Sequence, residues 1–500
     1  MNVVPDLIAY GCTHFTDRAA VVTEERELTF TEVDQRANRL VALLRAHGVE
    51  AGDRVALIAA NEPEFLEIQV ACMRAGAIFV PINFRLAVPE LSYIIGDMLP
   101  RVLICGADCA DAAAQLDVGT RWVLGAEYEA ALQAQPGVSG QQPIAAEAAS
   151  TILYTSGTTG RPKGAVISNH ALFARINSNL FEYQVSSSDR FLQCLPLFHI
   201  ASNVSSSYTF AGATNVYLKK FDPALALERI GSEQITTALM VPTMINAVIN
   251  HPYVHDANLQ SLRTLAYGAS AIPPVVLEQA IELLGCGFLQ LFGMTETSGC
   301  TILRRGDHLH KERLASAGME ALGFEVRIVD DADSEVSPGT VGEVICRGPA
   351  IMDHYWNAPE PTAEALRNGW MHTGDLGYRD PHGYVFVTDR KKDMIISGGE
   401  NVYPREVEDV LFEHPEVLEA AVIGVPDERW GERVHAVLVS NPGCELDPEQ
   451  VLGFARSRLA AYKVPKSAEL LAELPKNATG KVLKTVLREP WWQGRTRGVN

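Results

Sequence analysis

Positive charge is scarce in this chain. Lys and Arg number 42 against 61 Asp and Glu, a formal net charge of −19 at pH 7, the wrong sign for a protein whose main partner is nucleic acid or an anionic membrane surface. A polyanionic ligand must therefore be held by local groups. The nine cysteines show no zinc-site spacing, and Cys105 with Cys109 is a lone C-x-x-x-C, so reduced thiols are expected rather than a disulfide framework or structural metal. The first residues, MNVVPDLIAYGCTHFTD, lack a basic stretch followed by an apolar core, so no secretory signal is expected and a cytoplasmic location is. Long apolar runs are missing too. The uncharged stretch from Phe191 to Leu218 carries Ser, Asn, Thr, Pro and Gly, too polar for a membrane span and read here as buried interior.

What is present points to at least two domains, because 500 residues at 47% hydrophobic exceed what one core usually holds. TFTEVDQRANRLVALLRAHGV has apolar residues at helical spacing, and Gly52-Asp53 then turns into RVALIAA, a short buried strand. The helix EPEFLEIQVACMRAGA leads into IFVPI, and VLICG and NVYLKK continue the alternation, the pattern of an α/β domain with a mostly parallel sheet. From about Gly323 the texture changes. FEVRIVD, GEVICRG and GYVFVTD, separated by turn-rich DDADSEVSPGT and RDPHG, predict an antiparallel, β-rich subdomain. Beyond the charged cluster Asp389-Arg390-Lys391-Lys392-Asp393, the segments VEDVLFEHP, VLEAAVIGVPD and RVHAVLVS predict a compact α+β unit. The expected division is a large N-terminal domain over 1–389, a hinge at 390–393 and a small mobile domain over 394–500.

The sharpest local signal is YTSGTTGRPKG at 154–164, which follows the strand-like STIL and is expected to lead into a helix. Glycines permit positive φ and let backbone N–H groups converge on phosphate oxygens, Ser and Thr add hydroxyls, and Lys163 adds charge. A Walker-type loop is disfavoured, because Gly164 stands where the magnesium-binding Ser or Thr would follow the lysine. The bland alternative is a flexible Ser/Gly loop.

With LPLFH at 195–199, YGAS at 267–270, FGMTE at 292–296, TGDLG at 373–377, DRKKDMIISGGENVYP at 389–404 and PKNATGKVLK at 475–484, the chain resembles the adenylate-forming superfamily of acyl-CoA synthetases, adenylation domains and beetle luciferases over nearly its whole length. The resemblance implies an AMP-forming ligase that joins a carboxylate to ATP as an acyl-adenylate and passes the acyl group to coenzyme A. Attack of one anion on another makes catalysis mainly positioning and charge neutralisation.

The resemblance also implies roles. Thr155, Ser156, Gly157, Thr158, Thr159, Gly160 and Lys163 would cradle the ATP phosphates. Gly268, Ala269, Ser270, Phe292 and Gly293 would line the nucleotide, with Thr295 donating to the α-phosphate and Glu296 holding Mg2+, a hard cation suited to a carboxylate. Asp375 would accept both ribose hydroxyls, with Arg390 reaching the same sugar, although a turn residue is the plain reading of an Asp after Gly374. Lys481 would bridge the substrate carboxylate and the phosphates as charge redistributes, although a lone lysine near a C-terminus is usually a solvated surface residue. Lys392 sits at the hinge position about which the small domain alternates between adenylation and thioester poses. Gly398 and Gly399 would border the pantetheine tunnel, Glu400 would meet His199 in the second pose, and His199 would gate the pocket. Trp430, Tyr462 and Lys466 match coenzyme A positions of some aryl-CoA ligases, with Val464 replacing a basic residue found there.

The acyl pocket implied by the same resemblance comprises Ile200, Ala201, Leu291, Ser298 and Gly299 beside His199, Gly268, Ala269 and Gly293. None is charged, whereas a distal carboxylate or ammonium would need a buried counter-charge. An apolar monocarboxylate is expected, first a medium- or long-chain fatty acid and second an aryl or alicyclic acid. A carrier-protein ligase and a luciferase-like oxygenase share the adenylating residues, and a non-catalytic nucleotide sensor is the reading of a different class. No nucleic acid and no integral membrane segment are expected, and a homodimer is left open. Apolar monocarboxylates should accordingly be turned over at least about tenfold faster than malonate, succinate or amino acids, measured as pyrophosphate release. Preferential turnover of malonate would refute the uncharged pocket.

Overall fold

The computed structural model describes residues 3–137, 143–155, 162–270, 272–476 and 482–493. The helix Phe30–Ala46 shows how local sequence sets an element. Thr29 caps it by accepting from the Glu32 amide at 3.2 Å, and Glu32 accepts the Thr29 amide at 2.8 Å, a reciprocal box that satisfies two unpaired end donors. Its buried stripe, Phe30, Val33, Ala37, Leu40 and Leu44, follows the helical period. That stripe packs with Val21 and Val55 in one apolar cluster.

Those two valines belong to the two main sheets among the described residues. A seven-stranded sheet runs His354–Tyr355, Lys163–Ser168, Ala149–Thr155, Ile78–Ile82, Arg54–Ile58, Val102–Cys105 and Arg121–Val123. A nine-stranded sheet has the parallel centre Gly287–Met294, Thr264–Gly268, Thr237–Met240, Arg190–Gln193 and Thr214–Tyr217, with antiparallel Ser298–Leu303 beyond Gly287–Met294. Helices alternate with the parallel strands, as the sequence pattern predicts. None of the nine cysteines is in a disulfide.

The uncharged stretch folds inside. Its helix Ala201–Phe210 is buried along nearly its whole length, and three of its polar side chains bond to neighbours: Asn179 Nδ2 donates to Ser207 Oγ at 3.2 Å, Ser205 Oγ to Asn215 Oδ1 at 2.9 Å, and Asn215 Nδ2 to Thr209 Oγ1 at 2.9 Å. Hydrogen bonding is what makes such burial tolerable. Among the described residues no helix is long and apolar enough to cross a membrane.

The β-rich part is a four-stranded antiparallel sheet of Glu325–Val329, Gly342–Arg347, Met371–Arg379 and Val385–Arg390. The next strand, Ile395–Ser397, already belongs to the small C-terminal sheet, whose long hairpin Val417–Asp427 and Gly431–Ser440 carries the helices Pro404–Phe412 and Lys484–Trp492. The chain is thus a large N-terminal α/β domain and a small C-terminal one, and the change of sheet falls between Arg390 and Ile395. Arg405 and Arg488 tie the units there. The Arg405 amide donates to Asp389 Oδ2 at 3.0 Å and its guanidinium to the Val387 carbonyl at 3.0 Å, while Arg488 pairs with Asp393.

Candidate active site

Thr155 and Lys163 stand opposite each other at the mouth of an antiparallel hairpin. Ser156, Gly157, Thr158, Thr159 and Gly160 lie outside the described residues. The loop does not lead straight into a helix as the sequence reading expected. A strand, Lys163–Ser168, comes first, its Ala165-Val166-Ile167 buried, and the helix Asn169–Tyr183 begins only after Ser168, whose hydroxyl caps the Ala171 amide at 3.2 Å. On the other edge of that strand lies Tyr355. Lys163 Nζ sits 5.2 Å from the centre of its ring, and its hydroxyl donates to Glu296 Oε1 at 2.7 Å. Burial, then the Glu296 charge, raises the Tyr355 pKa, so the phenol stays a donor. One tyrosine therefore joins the phosphate-loop hairpin to the acidic motif.

Glu296 lies in the turn between Gly287–Met294 and Ser298–Leu303. Gly293 faces Gly299, and a Cβ on Gly293 would stand 1.7 Å from the Ser298 carbonyl oxygen, so a side chain there cannot be accommodated. The turn is closed by Thr297 Oγ1, which accepts the Met294 amide at 3.0 Å. From outside, Arg175 Nη2 donates to the carbonyls of Thr295 and Glu296 at 3.2 Å each, its Nε donates to Ala350 O at 2.7 Å, and the Met352 amide donates to Glu296 O at 2.7 Å. Burial pulls the Arg175 pKa down to about 9.

The adjoining strand Thr264–Gly268 ends beside Leu291, where a Cβ on Gly268 would meet the Leu291 carbonyl at 2.6 Å. Ala269 follows at φ 69° and Ser298 sits at φ 61°. Gly268, Ala269, Leu291, Phe292, Gly293, Ser298 and Gly299 are therefore gathered at neighbouring strand ends, Ala201 shares an apolar cluster with Leu291, and Ser270 is exposed. Ile200 and His199 directly precede the helix carrying Ala201. The His199 ring lies 4.6 Å from Phe198, which meets Phe84 edge-on at 5.8 Å. Burial, with the nearby Arg85 charge, lowers the His199 pKa to about 4.

Asp375 lies within the strand Met371–Arg379, opposite Arg390, and the two side chains approach to 3.3 Å. The plain reading as a turn residue therefore gives way to a buried strand position. Glu343 Oε1 accepts the Gly374 amide at 3.2 Å and Thr373 Oγ1 accepts that of Asp375 at 3.1 Å, fixing the segment from behind. Lys392 is half-buried, and its pKa is lowered chiefly by desolvation, against which the Asp393 charge acts.

Lys481 lies outside the described residues. In the small domain, Gly398 and Gly399 take φ 63° and 88°, and a Cβ on Gly398 would stand 2.6 Å from the Trp430 ring. Trp430 and Tyr462 are exposed aromatics, Lys466 Nζ donates to Ala461 O at 2.7 Å, and Glu400 is exposed. Val464 is buried, which explains an aliphatic residue where a base might have been expected. Arg85, Arg175 and Tyr355 were not marked by the sequence reading. Arg175 alone left a trace, a charged residue inside the helical run ALFARINSNLF.

Residues 9–356 match the AMP-binding enzyme family, and residues 406–481 match the AMP-binding enzyme C-terminal domain. The chain belongs to the AMP-binding enzyme family. Within that family it is an AMP-forming acid–thiol ligase. It is 42% identical over 465 residues to a feruloyl-CoA synthase of an Amycolatopsis species, covering 92% of this chain and 93% of that one. A long-chain-fatty-acid–CoA ligase of Mycobacterium tuberculosis is 36% identical over 483 residues, covering 93% of each. ATP-bound MatB from Rhodopseudomonas palustris superposes with a TM-score of 0.89 at 31% identity, covering 97% of this chain and 98% of that one. Apo MatB gives 0.78 over the same shares, so this AMP-binding enzyme superposes better on the ATP-bound structure.

The lowered His199 pKa has a thermodynamic consequence. The folded value of about 4 lies below the unfolded value of roughly 6.5, so the unfolded chain takes up the proton first, and the stability is present above about pH 6.5 and lost as pH falls toward 4. Wild type should lose roughly 3 kcal/mol across that window that His199→Phe does not lose, read from denaturation midpoints. An NMR midpoint for His199 near 6.5 would contradict it.

Proposed function

We propose that this ligase activates an apolar monocarboxylate with Mg-ATP, releases pyrophosphate, and transfers the acyl group from AMP to coenzyme A. The observation that carries this reading is the juxtaposition of Lys163, Tyr355 and Glu296 with uncharged strand ends at Gly268, Leu291, Gly293 and Gly299. Charge for the phosphates stands next to a pocket wall that has none.

In this reading Lys163 and the loop 155–160 hold the phosphates, and Thr295 donates to the α-phosphate. Tyr355 occupies one oxygen of Glu296 and leaves the other to a hard cation. No group of three or more His, Cys, Asp or Glu side chains suited to a metal occurs among the described residues. One carboxylate with phosphates and water suits magnesium, which gives up water reluctantly. The ion would neutralise charge on the phosphates. Asp375 accepts the ribose hydroxyls and Arg390, already paired with it, steadies the sugar. Lys481 neutralises the carboxylate as it approaches the α-phosphorus, and neutral His199 gates the acyl side without adding charge. Gly398 and Gly399 give a thin pantetheine chain access to backbone, with Trp430, Tyr462 and Lys466 toward the nucleotide of coenzyme A. The working division is 1–389, a hinge at 390–393 about Lys392, and 394–500.

For the acid, the small side chains at Ala201, Gly268, Ala269 and Gly299 suit a ring as well as a chain. The relative at 42% identity is a feruloyl-CoA synthase and the fatty-acid ligase stands at 36%, which moves an aryl acid ahead of the fatty acid that the sequence alone put first. A panel of hydroxycinnamates and medium- and long-chain fatty acids, scored by pyrophosphate release with and without coenzyme A, tests this reading. Faster turnover of the fatty acids would restore the original order, and release unaffected by coenzyme A, with no thioester formed, would refute the acceptor.

The two half-reactions should separate. Lys481→Ala should slow adenylate formation by about a hundredfold or more yet still convert supplied acyl-adenylate and coenzyme A to thioester. Lys392→Pro should do the reverse, because proline fixes φ and restricts the preceding residue. Equal loss of both half-reactions in each folded variant would exclude alternation about Lys392.

A further inference from the structure

Arg175 is fully buried on the helix Asn169–Tyr183, where an arginine is rarely found without a partner carboxylate. Glu296 and Asp353 act on it through space, but its hydrogen bonds go to main-chain carbonyls. Nε takes Ala350, and Nη2 takes both Thr295 and Glu296. In an extended strand successive carbonyls point to opposite sides, so two consecutive carbonyls on one nitrogen mark a bent chain. The bend is the turn that carries the acidic motif. It is held at three further points: Thr297 Oγ1 closes it, the Met352 amide takes the Glu296 carbonyl, and the Tyr355 hydroxyl takes the Glu296 carboxylate.

We propose that Arg175 is a positioning residue for adenylation, clamping the Thr295–Glu296 main chain from behind while Tyr355 clamps the Glu296 side chain, so that the carboxylate is set for its cation before ATP arrives. The inference rests on the role given to Glu296 above. A buried guanidinium suits this task better than an ammonium, since its planar fork reaches carbonyls of two segments that are remote in sequence. Its charge, held in a poorly screened interior, also offsets that of Glu296 at a site that must accept a polyanion. A residue that only filled space would affect every step alike. A clamp on Glu296 affects the step that uses the cation.

The experiment uses the full chain with Arg175→Gln, Arg175→Lys and Tyr355→Phe, and Glu296→Gln as reference. Pyrophosphate release is followed against magnesium concentration at saturating acid, and thioester formation is followed from supplied acyl-adenylate and coenzyme A. Arg175→Gln should raise the magnesium concentration for half-maximal release and lower the maximal rate, each by about tenfold, while thioester formation stays within about twofold of wild type. Arg175→Lys should recover part of the loss, and Tyr355→Phe, which removes one hydroxyl and tests the same clamp should an Arg175 variant fail to fold, should shift the magnesium titration in the same direction. Folded variants with the wild-type titration, or with both half-reactions reduced in proportion, overturn the inference. If Glu296→Gln shifts the titration and the other variants do not, the clamp alone fails. If Glu296→Gln leaves it unchanged, the metal role fails and the clamp with it.

Discussion

Two strands of the nine-stranded sheet approach so closely at Gly293 that the Ser298 carbonyl occupies the space a side chain would need. That contact forces the chain to turn within a few residues, and the turn puts Thr295 and Glu296 on a short, well-fastened projection. Strand ends on either side supply Gly268, Leu291 and Gly299, so one steric constraint sets charged Glu296 beside uncharged strand ends. Remove the constraint by adding a Cβ at Gly293, and the turn must move, carrying with it every contact that Arg175, Met352 and Tyr355 make to Glu296. The glycine is needed for close approach rather than for an unusual φ.

Charge is arranged with equal economy. A chain with a formal net charge of −19 repels anions at long range, so an anionic ligand depends on cations placed locally. Lys163 sits over an aromatic face, Arg175 is buried, and Arg390 is paired with Asp375, while burial and then the exposed Arg85 lower the protonation of His199. Burial keeps His199 itself neutral.

Much of this was legible in the sequence. The helix Phe30–Ala46 and the strands Arg54–Ile58 and Ile78–Ile82 follow periodicity and turn residues, because their burial is decided by nearest neighbours along the chain. Asp375 and Arg390 were named from motifs, and the structure makes them opposite partners in adjoining strands. What stayed hidden depends on contacts between distant segments. Nothing local in KGAVIS distinguishes a hairpin strand from the opening of the helix that follows, and the pairing with Ala149–Thr155 decides it. Arg175 and Tyr355 act on residues 121 and 59 positions away, and a single sequence gives no measure of that distance. The acid stays a matter of pocket shape, which small uncharged residues describe only by what they leave out.

The helix Ala201–Phe210 has its Ser205, Ser207 and Thr209 side chains bound to Asn215 and Asn179, while Ala201, Val204 and Tyr208 face the apolar cluster beside Leu291. The helix is thus anchored by one flank and presents another. Exchange of Ala201 or Val204 for a bulkier or slimmer residue changes the room in that cluster without touching the bonds that keep the helix in place. A scaffold divided in this way can be reshaped on one face by single substitutions while the other face holds its place.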